Sequence, residues 1–208
     1  MDHTPARKLV IACGALAREI AALRCANGWS TLDVKCLPPE LHNRPELIAD
    51  AVREQIRAHR ARYTDIFVAY ADCGTRGTLD AVLREEGVER IAGAHCYEFF
   101  ASPPVFAALA DAEPGTFYLT DFLLRHFDRL VIEGLGIDRH PELQQTYFGN
   151  YRRLVYLAQA PRAESSKQAQ DIAARLGLEY QMLCTGYGGL QQELGAFADG
   201  SRTVQWRT

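Results

Sequence analysis

The chain has 208 residues, of which 48% are hydrophobic and 24% are charged, a balance typical of soluble globular proteins. Its formal net charge of -3 excludes the basic field with which proteins attract nucleic acid or an anionic membrane surface. No apolar run approaches the roughly 20 residues that span a bilayer, and the first residues do not have the pattern of a secretory signal. We therefore expect a cytoplasmic protein that binds neither nucleic acid nor membrane.

The first half of the sequence alternates between strand and helix patterns. The run KLVIAC at 8–13 is continuously apolar and is closed by Gly14, as a buried parallel strand would be. Further strands are predicted at 31–37, 65–70 and 89–94, and helices at 15–26, 45–62 and 78–86. Because helices separate the strands, we predict an α/β fold with an open, mostly parallel, doubly wound (Rossmann-like) sheet and helices on both faces.

The second half is less regular. Apolar residues at helical spacing predict a helix with an aromatic face over 115–138, followed by a strand at 154–159 and a helix at 164–176. A strand at 180–184, a glycine-rich turn, a short helix and an edge strand at 203–206 complete the expected order. We interpret residues 1–208 as a single α/β domain with a helical, aromatic insertion around 103–150.

The chain contains six cysteines, at positions 13, 25, 36, 73, 96 and 184. In a reducing compartment these are expected to be free thiols, metal ligands or catalytic groups rather than disulfides. The sequence has no Cys-x-x-Cys pair, so any shared site must be assembled by the fold.

Three of these cysteines, Cys13, Cys73 and Cys96, come just after predicted strands. Ligands of open α/β sheets bind beyond the carboxyl ends of the strands, and neighbouring strands are about 4.8 Å apart. With a strand order of 2-1-3-4, the three thiols would therefore meet in one small volume. His42, in the loop after the second strand, and His95 could approach the same place.

Three thiolates with an imidazole or an open position suit zinc, and three thiolates with one free iron suit a [4Fe-4S] cluster. Thiolates are soft donors, which argues against magnesium or calcium. Each cysteine could instead be a small buried core residue. We favour that interpretation for Cys25 and Cys36, and leave open whether Cys184 or a histidine completes the site.

Several polar residues flank the proposed thiol site. Asp72 precedes Cys73, Glu98 follows Cys96 by two positions, and either carboxylate could act as a general base or cap a helix. His95 could carry a proton. The segment CGTRGT at 73–78 opens a helix, so that Gly74, Thr75 and Gly77 could offer backbone N–H groups to an anionic substrate or cofactor, although glycines also simply make turns.

Six strings of the sequence resemble a bacterial and archaeal domain family of unknown function. They are ACGALAREI (12–20), CLPPELHNRPE (36–46), YADCGTRGTLD (70–80), GAHCYEFFA (93–101), GTFYLTDF (115–122) and YFGNYRRLVYLAQ (147–159). Members of this family are often encoded beside corrinoid-dependent methyltransferases, which implies a role in one-carbon or methyl-transfer metabolism and a corrinoid-protein or methyltransferase partner. Where members have a glycine pair after the DCGT string, this chain has Arg76 and Gly77.

Three functional hypotheses follow. The leading one is a metal-dependent enzyme for a small, possibly anionic molecule, with Cys13, Cys73, Cys96 and His42 as ligands and zinc preferred over an iron–sulfur cluster. In this enzyme Glu98, Asp72 and His95 are the acid/base candidates, and zinc would lower the pKa of a water or thiol. The second is a non-catalytic accessory protein or metallochaperone for a corrinoid methyltransferase system. The third is a metal-free enzyme in which Cys73 or Cys96 is a nucleophile beside His95.

Overall fold

A computed structural model describes residues 7–202 of the chain. The predicted edge strand at 203–206 lies outside these residues. The described part contains seven strands in two parallel sheets, and the chain divides into two compact units. Among the described residues, one unit comprises residues 7–99 and 189–202, and the other comprises residues 100–188. Within residues 7–202, no helix is both long enough and apolar enough to cross a membrane.

The first unit is built on a four-stranded parallel sheet. Its strands are β1 (Lys8–Cys13), β2 (Leu32–Leu37), β3 (Asp65–Ala69) and β4 (Glu89–Arg90), in the order β2-β1-β3-β4. Its helices are α1 (Ala17–Asn27), α2 (Ile48–His59) and α3 (Thr78–Glu86), with α4 (Cys96–Ala101) beginning after β4. Short 3₁₀ helices cover Gly14–Leu16, Pro39–Asn43 and Pro45–Leu47. The predicted α/β fold is confirmed, as is the order of these four strands.

The core of the first unit follows from the apolar pattern of its strands. Five of the six residues of β1 are buried, because β1 is an inner strand that pairs with β2 on one side and β3 on the other. The inner face of α2 presents Ile48, Val52 and Ile56, all fully buried. β4 is shorter than the predicted strand at 89–94, and backbone hydrogen bonds from Asp72 and Cys73 continue the contact with this segment beyond Arg90.

The second unit has a three-stranded parallel sheet in the order β5-β6-β7. The strands are β5 (Thr116–Thr120), β6 (Arg153–Ala158) and β7 (Glu179–Cys184). The helices after α4 are α5 (Pro103–Ala112), α6 (Asp121–Arg125), α7 (Leu143–Phe148) and α8 (Ala163–Leu176), together with a π-helix at Asp128–Glu133. The last helix, α9 (Gly188–Asp199), belongs mostly to the first unit.

The prediction of one helix over 115–138 is wrong, because this stretch contains β5, α6 and the π-helix. Residues 116–118 are threonine, phenylalanine and tyrosine, types that favour strands, and β5 pairs with β6 from Thr116 to Thr120. The strand gives way to helix at Thr120, whose hydroxyl accepts a hydrogen bond from the N–H of Leu123. The helical spacing of apolar residues therefore holds only after this cap.

Candidate functional site

The site begins at Cys13, the last residue of β1. Its side chain is 3% exposed, and its Sγ atom accepts a hydrogen bond from the N–H of Ala15 at 3.4 Å. Cys13 thereby caps the 3₁₀ helix that starts at Gly14. This placement puts the sulfur at the carboxyl edge of the sheet, where ligands of parallel α/β sheets bind.

The loop after β2 brings His42 to Cys13. His42 lies on the 3₁₀ helix Pro39–Asn43, and its Nδ1 atom is 3.6 Å from the Sγ of Cys13. The close approach of the two segments depends on Gly14, since a Cβ there would be 2.8 Å from the carbonyl oxygen of Leu37 and 2.9 Å from Cδ of Pro39. Much of the histidine surface is exposed, but its Nδ1 edge faces the thiol.

Cys73 reaches the same region from the end of β3. Its N–H donates to the carbonyl of Ala94 at 2.9 Å, so its backbone lies beside the segment that leads to Cys96. Its φ of +49° is in the left-handed region, which is uncommon for a residue with a side chain and typical of tight turns and functional sites.

Cys96 is the first residue of α4. The segment before it is fixed by Arg90, whose guanidinium donates to the carbonyls of Ile91 and Gly93 while it pairs with Asp80. The backbone N–H of Cys96 interacts favourably with the thiol of Cys73. The two thiols are therefore neighbours, although 23 positions separate them.

One small cavity of the first unit is lined by all three thiols and the imidazole. Its lining residues are Cys13, Ala15, Leu16, His42, Ala69, Tyr70, Ala71, Cys73, Cys96 and Phe99. The cavity is otherwise apolar, and no carboxylate is among these residues. The structure thus brings together the four residues that the sequence analysis selected as ligands. Within residues 7–202, no group of three or more His, Cys, Asp or Glu side chains is arranged so that it could hold a metal ion.

The thiols of the cavity are hard to ionise without a compensating charge. Burial raises the pKa of Cys13 to about 12 and that of Cys73 to about 11, and it raises the pKa of Cys96 well above the usual value. Cys73 and Cys13 raise the pKa of Cys96 further, because neighbouring thiolates repel each other. Desolvation lowers the pKa of His42, and His95 lowers it further. The same burial would strengthen the attraction of these groups for a cation.

Tyr70 is a polar residue of this cavity that the sequence analysis had assigned only to a strand. Its side chain is 1% exposed, and its ring stacks on that of His42 with centroids 6.4 Å apart. Within residues 7–202 its buried hydroxyl oxygen has no well-formed hydrogen bond. Burial raises the pKa of Tyr70, and the thiol of Cys13 raises it further. A tyrosine at the end of the apolar run that starts at Ile66, two positions before Asp72, was the available signal.

The carboxylate of Asp72 is engaged with its own loop. It accepts hydrogen bonds from the Thr75 hydroxyl at 2.7 Å and from the N–H groups of Arg76 and Gly77 at 3.1 and 3.0 Å. Although partial burial opposes it, these hydrogen bonds lower the pKa of Asp72. Asp72 therefore caps the turn that precedes α3, the alternative role that the sequence left open.

The same hydrogen bonds change the interpretation of the glycine-rich segment. The N–H of Thr75 donates to the carbonyl of Asp72, and that of Gly77 donates to its carboxylate. Gly74 has a φ of +85°, so the turn itself requires a glycine there. The N–H donors expected at Thr75 and Gly77 for an anionic ligand are thus taken by the backbone carbonyl and the carboxylate of Asp72.

Glu98 and His95 lie beside the thiols without lining the cavity described above. The Oε2 atom of Glu98 accepts a hydrogen bond from the N–H of Ala94 at 2.8 Å, which fixes the turn before α4. His95 is exposed, and its ring lies 6.2 Å from that of Tyr97. Of the three acid/base candidates, His95 is the one whose side chain is exposed, and its charge influences His42.

The remaining cysteines lie apart from the cavity lining. Cys25 on α1 and Cys36 on β2 are exposed, so their interpretation as core residues is wrong. The buried residues of α1 are Glu19, Ile20 and Leu23, and Cys25 lies on the opposite, outward side of the helix. Cys184 ends β7 in the sheet of the second unit and is also exposed.

The second unit carries a buried polar cluster that the sequence analysis missed. The carboxylate of Asp121 accepts hydrogen bonds from the Tyr156 hydroxyl at 2.7 Å and from the N–H groups of Gln159 and Ala160. The side-chain oxygen of Gln159 in turn accepts from the N–H of Asp121. These bonds join the carboxyl ends of β5 and β6, so we assign the cluster a structural role.

Comparison with known proteins gives a family without an assigned activity. No curated protein and no solved structure matches the chain significantly. A family model described as "Protein of unknown function (DUF1638)" matches residues 36–194, which is more than half of the chain and includes His42, Tyr70, Cys73 and Cys96. The chain therefore belongs to the DUF1638 family of proteins of unknown function.

Proposed function

We propose that this protein is a metal-dependent enzyme that acts on a small molecule. Cys13, Cys73, Cys96 and His42 would hold a transition metal, with zinc preferred. The observation that carries the proposal is that these four side chains, from four separate segments of the chain, line one small and otherwise apolar cavity. Three sulfurs and an imidazole form a soft donor set of a kind that zinc proteins use.

Each part of the chain would have its own role in such a site. Zinc in this position supplies Lewis acidity and a compensating positive charge. Leu16 and Phe99 provide an apolar wall that limits the access of water. Asp72 and Glu98 accept hydrogen bonds from the turns that carry Cys73 and Cys96. Of the three acid/base candidates we therefore favour His95, whose ring is exposed to solvent.

A non-catalytic metal carrier is a second candidate, and one observation favours it. Both carboxylates near the thiols already accept hydrogen bonds from backbone N–H groups, and the cavity itself is lined by thiols, an imidazole, a phenol and apolar groups. An accessory protein or metallochaperone for a corrinoid methyltransferase system would need only such a soft binding site.

The third hypothesis, a metal-free thiol enzyme, has less support. A nucleophilic cysteine works as a thiolate and usually has a lowered pKa. Burial and the neighbouring thiols instead raise the pKa of Cys96, and burial raises that of Cys73. Without a bound cation, these cysteines would remain protonated at neutral pH.

The proposal extends to the cellular setting. We propose that the protein works in the reducing cytoplasm, where its free cysteines stay available for metal. We further propose a role in one-carbon or methyl-transfer metabolism with a corrinoid-protein or methyltransferase partner. The support for that partner is the family resemblance given by the sequence.

The test is anaerobic purification followed by elemental analysis and a visible spectrum. We expect a colourless protein with one zinc ion per chain. The zinc content should fall strongly in Cys73→Ser and stay unchanged in Cys25→Ser, because the thiol of Cys25 is exposed on α1. A brown protein with iron and sulfide would support an iron–sulfur cluster in place of zinc. If no metal copurifies and the Cys73→Ser protein takes up added zinc as the natural chain does, the metal proposal is wrong. Turnover of a candidate substrate by the loaded protein separates the enzyme from the carrier.

A further inference from the structure

The Tyr70 hydroxyl is a buried polar group whose contact with the Cys13 thiol falls short of normal hydrogen-bond geometry. Its side chain is 1% exposed, and the hydroxyl oxygen has no hydrogen bond that meets normal geometry within residues 7–202. Buried hydroxyls are almost always hydrogen-bonded, because leaving one unpaired costs the desolvation of the group. Phenylalanine would fill the same space without that cost, so the tyrosine calls for an explanation.

The position of Tyr70 indicates where a partner would come from. The residue lines the same cavity as Cys13, Cys73, Cys96 and His42, and its ring stacks on His42 at an interplanar angle of 19°. The thiol of Cys13 interacts with the hydroxyl, but a neutral thiol is a weak acceptor. A thiolate accepts hydrogen bonds much more strongly, because the acceptor then carries a charge.

We propose that Tyr70 is a positioning residue of the thiol site, whose hydroxyl donates a hydrogen bond to the sulfur of Cys13 when that sulfur is a metal-bound thiolate. This inference rests on the proposed metal site. The hydrogen bond would orient the Cys13 sulfur and reduce the electron density that it gives to the metal, as partners of metal ligands do in other sites. The stacked ring would at the same time hold the imidazole of His42 in place.

Cobalt(II) substitution tests this inference, because thiolate-to-cobalt charge-transfer bands report the electron density on sulfur. The natural chain and Tyr70→Phe are loaded with Co²⁺ and their near-ultraviolet and visible spectra are compared. We expect thiolate bands of similar intensity in both, since the ligands are retained. We expect the charge-transfer band of Tyr70→Phe at longer wavelength, since the sulfur loses a hydrogen bond.

Two further measurements keep the result interpretable. Tyr63→Phe removes a hydroxyl of the same unit that donates to Asp33 at 2.9 Å, and its cobalt spectrum should equal that of the natural chain. The metal-free Tyr70→Phe protein should unfold at the same temperature as the natural chain or a higher one, because the neutral Cys13 thiol is too weak an acceptor to offset the burial of the hydroxyl.

The outcomes separate the two proposals. If the natural chain shows no thiolate-to-cobalt band, the metal site is wrong and this inference falls with it. If the natural chain shows the band and Tyr70→Phe has the same band position, the metal site stands and the role of Tyr70 is wrong. A metal-free Tyr70→Phe protein that unfolds at a clearly lower temperature would also overturn the inference, because the hydroxyl would then be strongly hydrogen-bonded without a metal-bound thiolate.

Discussion

The Nδ1 atom of His42 lies 3.6 Å from the Sγ atom of Cys13, although 29 positions separate the two residues. The contact joins the end of β1 to the 3₁₀ helix that follows β2. Neither segment carries a local metal motif, so the pair exists only because β1 and β2 are neighbours in the sheet.

His42 and His95 should differ in their effect on metal binding. We expect His42→Ala to weaken zinc binding by at least about tenfold, since its imidazole faces Cys13. His95→Ala is the matched control and should leave the affinity nearly unchanged, because His95 does not line the cavity described here. Competition with a zinc chelator measures both values. Equal losses in the two variants would contradict the assignment of His42 as the ligand.

Gly14 should be required for the geometry of the site without touching a ligand. In Gly14→Ala the new Cβ would meet the carbonyl oxygen of Leu37 and Cδ of Pro39 at less than 3 Å, so the loop that carries His42 must shift. We expect a loss of about 1–3 kcal/mol in the free energy of unfolding, and weaker zinc binding. Gly195→Ala is the control, since its nearest neighbour would be Cζ2 of Trp29 at 3.8 Å. Urea unfolding and chelator competition would detect both effects, and normal zinc binding by Gly14→Ala would argue against this role for the loop.

The buried Asp121 should be important for the stability of the second unit. Asp121→Asn replaces one acceptor oxygen by an N–H₂ group that faces backbone donors, so we expect a loss of about 1–3 kcal/mol in the free energy of unfolding. Tyr156→Phe removes one donor and leaves the two backbone donors, so we expect a loss of about 1 kcal/mol. Tyr147→Phe, at an exposed position, should have little effect in the same urea titration. Unchanged stability of Asp121→Asn would show that the cluster is not a structural element.

Glu86 should make the stability of the first unit depend on pH. Burial raises the pKa of its carboxyl, but hydrogen bonds from Arg57 and Arg60 outweigh burial and hold the pKa below its usual value. A carboxyl whose pKa is lower in the folded state stabilises the fold above its unfolded value, which is about 4.3, and that stability is lost as the pH falls through the folded pKa.

The variant Glu86→Gln isolates this contribution. We expect it to be less stable than the natural chain by about 0.5–1 kcal/mol at neutral pH, a small value because both arginines are more than half exposed. The difference should vanish in acid, where both side chains are neutral. Urea unfolding at several pH values measures it, and Glu142→Gln on an exposed loop serves as the control. A difference that persists in strong acid would mean that packing, rather than charge, explains the effect.

The sequence by itself determined the strands of the first sheet and the placement of Cys13, Cys73 and Cys96 after three of them. The apolar run of β1 and its closure by Gly14 are local features, because burial on both faces requires a continuous apolar strand. From them follow the position of Cys13 at a strand end and the α/β class. The strand β5 was missed because its threonines and aromatic residues lie within a longer stretch that also has helical spacing.

Only the tertiary structure decided which residues meet and which polar groups remain free. The pairing of β1 with both β2 and β3 is a contact between distant parts of the chain, and it brings Cys13 to His42 and Tyr70. The sequence did not determine the roles of Asp72 and Glu98 either. A carboxylate can accept hydrogen bonds from a backbone turn or contact a ligand, and a difference of a few ångströms in its position decides between the two roles. Local patterns indicate where strands end, whereas the chemistry of the site depends on how those ends are packed together.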